Sequence, residues 1–190
     1  MSGPKIPSFE YIVFQLIDWY KEAHGIEDNR DFNQKNDLSI LKVIKLSFFV
    51  VANKHESLLP IFNNYYAMPL GHVESDIYNH IRLTNGDFTA FIISPSGTII
   101  KDEFLDSLSE GNFIDIETHI KSAIISSILT LKNSNPNLIK YTGYQLVELS
   151  HQWYSWKRTF ALARSMGSNS KQIPPETIEK ETKFFSLEEA

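Results

Sequence analysis

The chain has 190 residues, 42% of them hydrophobic, 13% aromatic and 22% charged, a balance that supplies a packed core and excludes a wholly disordered chain. At the usual domain size this length fits one domain over 1–190, with a core over about 9–185, and not two. A formal charge of -5 offers no positive field for a phosphate backbone, and the absence of cysteine removes disulfides, thiolate nucleophiles and sulfur-based zinc sites. No apolar run reaches the roughly 20 residues needed to span a bilayer, and the opening MSGPKIPSFEY has no basic stretch followed by an apolar one. A cytoplasmic protein with no membrane partner is the expectation.

In chain order, Phe9 to Ala23 carries Ile12, Val13, Leu16, Ile17 and Tyr20 on one face and is followed by Gly25, which predicts a first helix. The polar segment GIEDNRDFNQKNDLS reads as a loop that ends in the possible caps Asp37 and Ser39. A second helix over about Leu38 to Lys54 has Leu41, Ile44, Phe48 and Ala52 as its apolar stripe, thickened by Phe49 and Val51. Only Lys42, Lys45 and Ser47 interrupt it, so it is expected to be the central buried helix, with Leu41, Phe48 and Phe49 inside. LLPIFNNYYAMPLGHVESDIYNHI is broken by Pro69 and Gly71, and helical spacing resumes from Val73 through Ile77 and Ile81, with Glu74 and Asp76 placed to offset the helix dipole.

Between Phe88 and Lys101 two β-prone runs flank PSG, which predicts one small hairpin. Ile116, Ile120, Ile124, Ile128 and Leu131 define a further helix, and Tyr144 to Met166 reads as one long helix stopped by Gly167. A short last helix starts at Pro174 or Pro175, and FSLEEA is expected to fray. The expected fold is mainly α: a compact single-domain helical bundle with one small β-hairpin insertion at about 88–101.

Chemistry-bearing groups are sparse. His72, Glu74, Asp76 and His80 offer metal-ligating atoms close in sequence, but a helix from Val73 leaves only Asp76 and His80 on one face, short of the three or four protein ligands zinc takes. Ser150 or Ser155 with His151 could form a local hydrogen bond on the long helix, yet no GxSxG elbow, phosphate loop or dinucleotide fingerprint accompanies them. No catalytic residue, cofactor or metal is therefore assigned, and a small hydrolase using His151 or the 72–80 segment is the weaker reading. Aromatics gather instead: Tyr65, Tyr66 and Tyr78 around the Pro69 to Gly71 turn, and Trp153, Tyr154, Trp156 and Phe160 on the long helix. Core packing claims most of them. Trp153 and Trp156 cannot both be central if Val147 and Phe160 define the buried stripe, and an exposed aromatic near Arg158 is the material of a protein-binding hot spot.

Three segments in order resemble one known family. KLSFFVVA at Lys45 to Ala52 is similar to its lysine, leucine and aromatic-pair pattern. FNNYYAMPLGHVESDIYNHI at Phe62 to Ile81 is similar to its aromatic-alanine turn into Gly-Pro-Val and a tyrosine-bearing helix. YQLVELSHQWYSWK at Tyr144 to Lys157 is similar to its late leucine, histidine and tryptophan helix. Together they resemble the Panacea domain, the SocA-like antitoxin domain of bacterial and phage type II toxin-antitoxin systems. His72 stands where that family usually has proline, so the turn keeps Gly71 and Val73 without proline's fixed φ. The resemblance implies a mainly helical antitoxin that binds and neutralises a cognate toxin encoded beside it. A related role is that of a proteolytic adaptor with a protease or chaperone as second partner; a phage-encoded host-interaction protein is the remaining alternative. Lys45, Tyr66, Gly71, Val73, Asp76, Tyr78, His151, Trp153 and Trp156 are the resulting signature and partner-binding candidates. Nucleic acid is not an expected partner, and the acidic balance would suit a basic toxin.

Overall fold

A computed structural model describes residues 4–188, and the molecule is mainly helical. The first helix, α1 (Lys5–His24), buries nearly every side chain from Ser8 to Tyr20 and ends at Gly25, whose φ of 64° closes the helix in the left-handed region. The polar stretch that follows is not all loop. Asp28 accepts the Asp31 N–H and starts α2 (Asn29–Lys35), a short helix whose composition hides it because only Phe32 turns inward. Ser39 caps α3 (Ile40–Asn53) by accepting the Lys42 N–H, and α3 is buried from Lys42 through Ala52, with α1, α6 (Thr118–Ser134), α7 (Gly143–Gln152) and a β-strand packed around it. Phe48 and Phe49 are inside as expected, whereas Leu41 is only half-buried because its end of the helix borders an open groove. The one-turn α4 (His55–Leu58) follows.

The Pro69–Gly71 region departs most from the periodicity reading. Tyr65–Met68 (β1) and Gly71–Glu74 (β2) form an antiparallel hairpin across Pro69 and Leu70, so Val73 lies in a strand and the helix α5 begins at Ser75, running Ser75–Thr84. Glu74 accepts the Ile77 N–H and so acts as the N-cap of α5, one position before its expected place in the first turn. The other edge of β1 pairs with β5 (Lys171–Gln172), giving a three-stranded sheet in the order β2, β1, β5. A two-residue strand far along the chain has no period to reveal it. The hairpin expected at 88–101 is present as β3 (Phe91–Ile93) and β4 (Thr98–Ile100).

The isoleucine row expected over 116–131 is buried, mostly on α6. The long last helix is two: α7 stops at Gln152, Trp153 takes an extended conformation at φ -70°, ψ 135°, and α8 runs Tyr154–Ser165. The last helix, α9 (Pro175–Lys180), does begin at a proline. Of FSLEEA, Phe185 is buried and its carbonyl accepts the Asn135 side-chain N–H at 2.9 Å, so the segment is tied down there; its last two residues lie outside the described range.

Candidate functional site

Three distant stretches, α3, the β1–β2 hairpin and the α7–α8 break, meet in one buried polar knot. Lys45 points from the middle of α3 to the hairpin, where its ammonium donates to the His72 carbonyl at 2.5 Å. The His72 N–H donates to Ser150 Oγ at 3.1 Å. Its ring, fully buried, is hydrogen-bonded through Nδ1 to Ser150 Oγ at 2.8 Å and through Nε2 to Ser155 Oγ at 2.7 Å. A neutral imidazole has one donor and one acceptor nitrogen, and each hydroxyl can take either role, so the ring is fully satisfied without charge. Burial, reinforced by Lys45 and His151, holds the His72 pKa well below the ordinary histidine value. Phe48 stacks on this ring at 3.8 Å, and Trp153 meets Phe48 edge-on at 4.9 Å.

The break at Trp153 is what makes the knot possible. Five residues of uninterrupted helix would rotate the side chains at 150 and 155 about 140° apart, and the two serines could not face one ring. Gly71 completes the arrangement with a φ of 93°, and a Cβ there would run into Ser150 and lie 3.2 Å from Lys45 Nζ. Proline in place of His72 would forfeit the N–H that Ser150 accepts and the ring that both serines hold.

The remaining singled-out residues divide between scaffold and surface. His151 does not meet Ser155; it stacks on Trp156 at 3.7 Å, and its Nε2 reaches the Pro69 carbonyl at 3.1 Å. Trp156 Nε1 donates to the Met68 carbonyl at 2.9 Å, so the two rings clamp the β1–β2 turn. Burial lowers the His151 pKa, with the Pro69 carbonyl opposing. Asp76 and Glu74 are engaged as anions by Lys5 of α1, at 2.5 and 2.6 Å, and the Lys5 hydrogen bond holds the Asp76 carboxyl below its ordinary value. Sequence could not single out Lys5, which lies about seventy residues away. His80 packs against Phe88. Among the described residues no group of three or more His, Cys, Asp or Glu is placed to hold a metal ion, and no helix is long and apolar enough to cross a membrane.

Trp153 is fully buried among Phe48, Phe49, Phe184 and Phe185, which makes it core and removes it from any contact surface. Trp156, Tyr66 and Tyr78 are half-buried. No family model, curated protein or solved structure matches the chain. Two surface features stand out on the chain's own geometry. Along the outer side of α8, Tyr154, Arg158 and Leu162, with Met166 just past its end, follow one another at i, i+4 spacing, all exposed, with the Arg158 guanidinium 5.9 Å from the Tyr154 ring. On another side, the start of α3, the β1–β2 turn, α5 and the β3 end enclose an apolar groove of about 840 Å³, lined in part by Lys45, Val73 and Tyr78.

Proposed function

We propose that the protein is an antitoxin that neutralises a toxin encoded beside it by direct protein–protein contact. What supports this reading is the packing of the three segments on which the family resemblance rests. Lys45, Gly71 with His72, and Ser150 with Trp153 come one from each segment and interlock in the same buried knot. The three segments pack on one another, as segments of a single family domain would, while His72, which stands where that family has proline, is this chain's own addition to the knot. The knot itself is closed: Lys45, His72, Ser150 and Ser155 are all fully buried, so its work is to hold the hairpin and the α7–α8 corner in place for contact surfaces outside. The α8 stripe is suited to such contact, because an exposed tyrosine–arginine pair beside leucine and methionine has the composition of interface anchors.

The test is co-expression with the product of the neighbouring gene. Rescue from growth arrest together with a stable purified complex is the expected result. Rescue that disappears in a protease-deficient host would show an adaptor mechanism, and a neighbour that is not toxic would overturn the reading.

A further inference from the structure

The molecule carries a net charge of -5, yet its charges are not spread evenly. Between Glu148 and Glu176 the chain has the cations Lys157, Arg158, Arg164 and Lys171 and no carboxylate. The first three stand on α8, whose inner side is buried through Ser155, Thr159 and Ala163 and whose opposite side is open. Residues seven apart on a helix fall within about 20° of one line. Tyr154 and Ala161 therefore run down the middle of the open face, with Lys157 and Arg164 along one flank and Arg158 and Leu162 along the other, all of them exposed.

Among the described residues none of the three cations on α8 meets a carboxylate. Lys157 donates to the Gln152 side-chain carbonyl at 2.9 Å, Arg158 to the Tyr154 hydroxyl at 3.2 Å, and Arg164 to the Asn169 side chain, all neutral acceptors. Glu181, which does reach α8, is used at the helix start, where it accepts the Ser155 N–H. Arg30 and Lys35, exposed elsewhere on the molecule, each hold an aspartate. An apolar seam rimmed by unpaired cations is the complement of a helix whose apolar stripe is rimmed by carboxylates.

We propose that the open face of α8 binds an acidic amphipathic helix of a protein partner, its apolar stripe over Tyr154, Ala161 and Leu162 and its carboxylates on Lys157, Arg158 and Arg164. The small side chain of Ala161 at the middle lets two helix axes come close, and the twelve residues of α8 offer a partner about 18 Å of length. A nucleic-acid strand is a poorer occupant, because the seam between the cations is apolar and Leu162 gives a phosphate backbone no donor. The inference rests on the reading that the protein works by protein contact, and it adds the chemistry of the partner: an acidic surface, where net charge alone points to a basic one.

The experiment uses the full chain and a helical peptide of leucine, alanine and glutamate, with leucine on one side and glutamate flanking it. A second peptide replaces every glutamate by lysine, and a third scrambles the first so that no apolar side forms. Anisotropy titrations should show one glutamate peptide per chain, bound about tenfold tighter than either control and several-fold weaker as salt rises. Amide chemical-shift changes should centre on α8. Lys157→Glu combined with Arg164→Glu, two exposed changes whose melting temperature should match the wild type, should invert the preference towards the lysine peptide. Equal affinity for the three peptides, a preference that survives the double change, or shifts centred on the groove at Ile44 and Val73 would each overturn the proposal. So would a mixed-sequence oligonucleotide that displaces the glutamate peptide, since the face would then belong to phosphate. The product of the neighbouring gene separates this inference from the antitoxin reading. A complex with it that neither salt nor the double change weakens keeps the antitoxin reading and removes this one, whereas failure of that product to bind removes the antitoxin reading and leaves the peptide titration to decide the face.

Discussion

At Gly71 the backbone occupies a region that L side chains rarely adopt, and the space a Cβ would need is taken by Ser150 and Lys45. Gly71→Ala is therefore expected to cost about 1–3 kcal/mol in backbone strain, with repacking added. Urea denaturation checks it, and a loss below about 0.5 kcal/mol would mean that the turn yields freely. Lys45 carries a second prediction. Its amine titrates near pH 7 in the folded protein, below the ordinary lysine value of 10.5, because burial disfavours the charge. Between those values the unfolded chain binds more protons, so stability should rise as pH increases from about 7 to 9. Lys42 shifts in the same direction through burial and adds to the slope. Tyr20, pushed up to about 12 by burial, opposes it only above its ordinary value of 10.0. Melting temperatures across this window should climb in the wild type and climb less in Lys45→Met; an unchanged slope in the variant would show that the amine is solvated.

At the scale of the element, α3 and the α7–α8 corner set the core. Phe48 packs against Phe49, Tyr65, His72 and Trp153 from the middle of a helix buried on all sides. Phe48→Ala should cost about 3–5 kcal/mol by opening a cavity between three elements that cannot all close on it, and a loss under about 1 kcal/mol would show that the helix is peripheral. The corner has its own support. α8 begins without a cap from its own chain neighbour Trp153, and Glu181, from just past α9, reaches over to accept the Ser155 N–H at 3.0 Å. Removing this distant cap as Glu181→Ala should cost about 1 kcal/mol. Hydrogen exchange should accelerate in the first turn of α8 while α7 stays protected; equal acceleration in both would mean that the two helices open as one.

Across the whole molecule, the surfaces separate by what they can give up. Leu162 is about half exposed on the outer side of α8, so Leu162→Glu should change stability by no more than about 0.5 kcal/mol. If α8 is the contact face, the same change should weaken a partner complex strongly, because a charge is forced into an apolar interface. A complex of unchanged affinity with a folded variant would exclude that face.

Periodicity made α1, α3 and α6 legible, because each buries a long apolar stripe whose 3.6-residue spacing is written in consecutive side chains. It also showed that α3 would be central: with so little polar surface left, burial was the only stable outcome. The glycine-bounded hairpin at 91–100 and the proline start of α9 could be read for the same local reason. What local pattern could not carry was decided by contacts between distant residues. Lys42, Lys45 and Ser47 read as the polar breaks in α3, yet all three are buried: the His72 carbonyl comes from a distant hairpin to meet Lys45, while Lys42 reaches back to the Asp37 carboxylate just before the helix. Trp153 and Trp156 were equal in the sequence. Only the break between α7 and α8 sent the first into the core and left the second on the turn, since two serines five residues apart must both reach the one ring of His72.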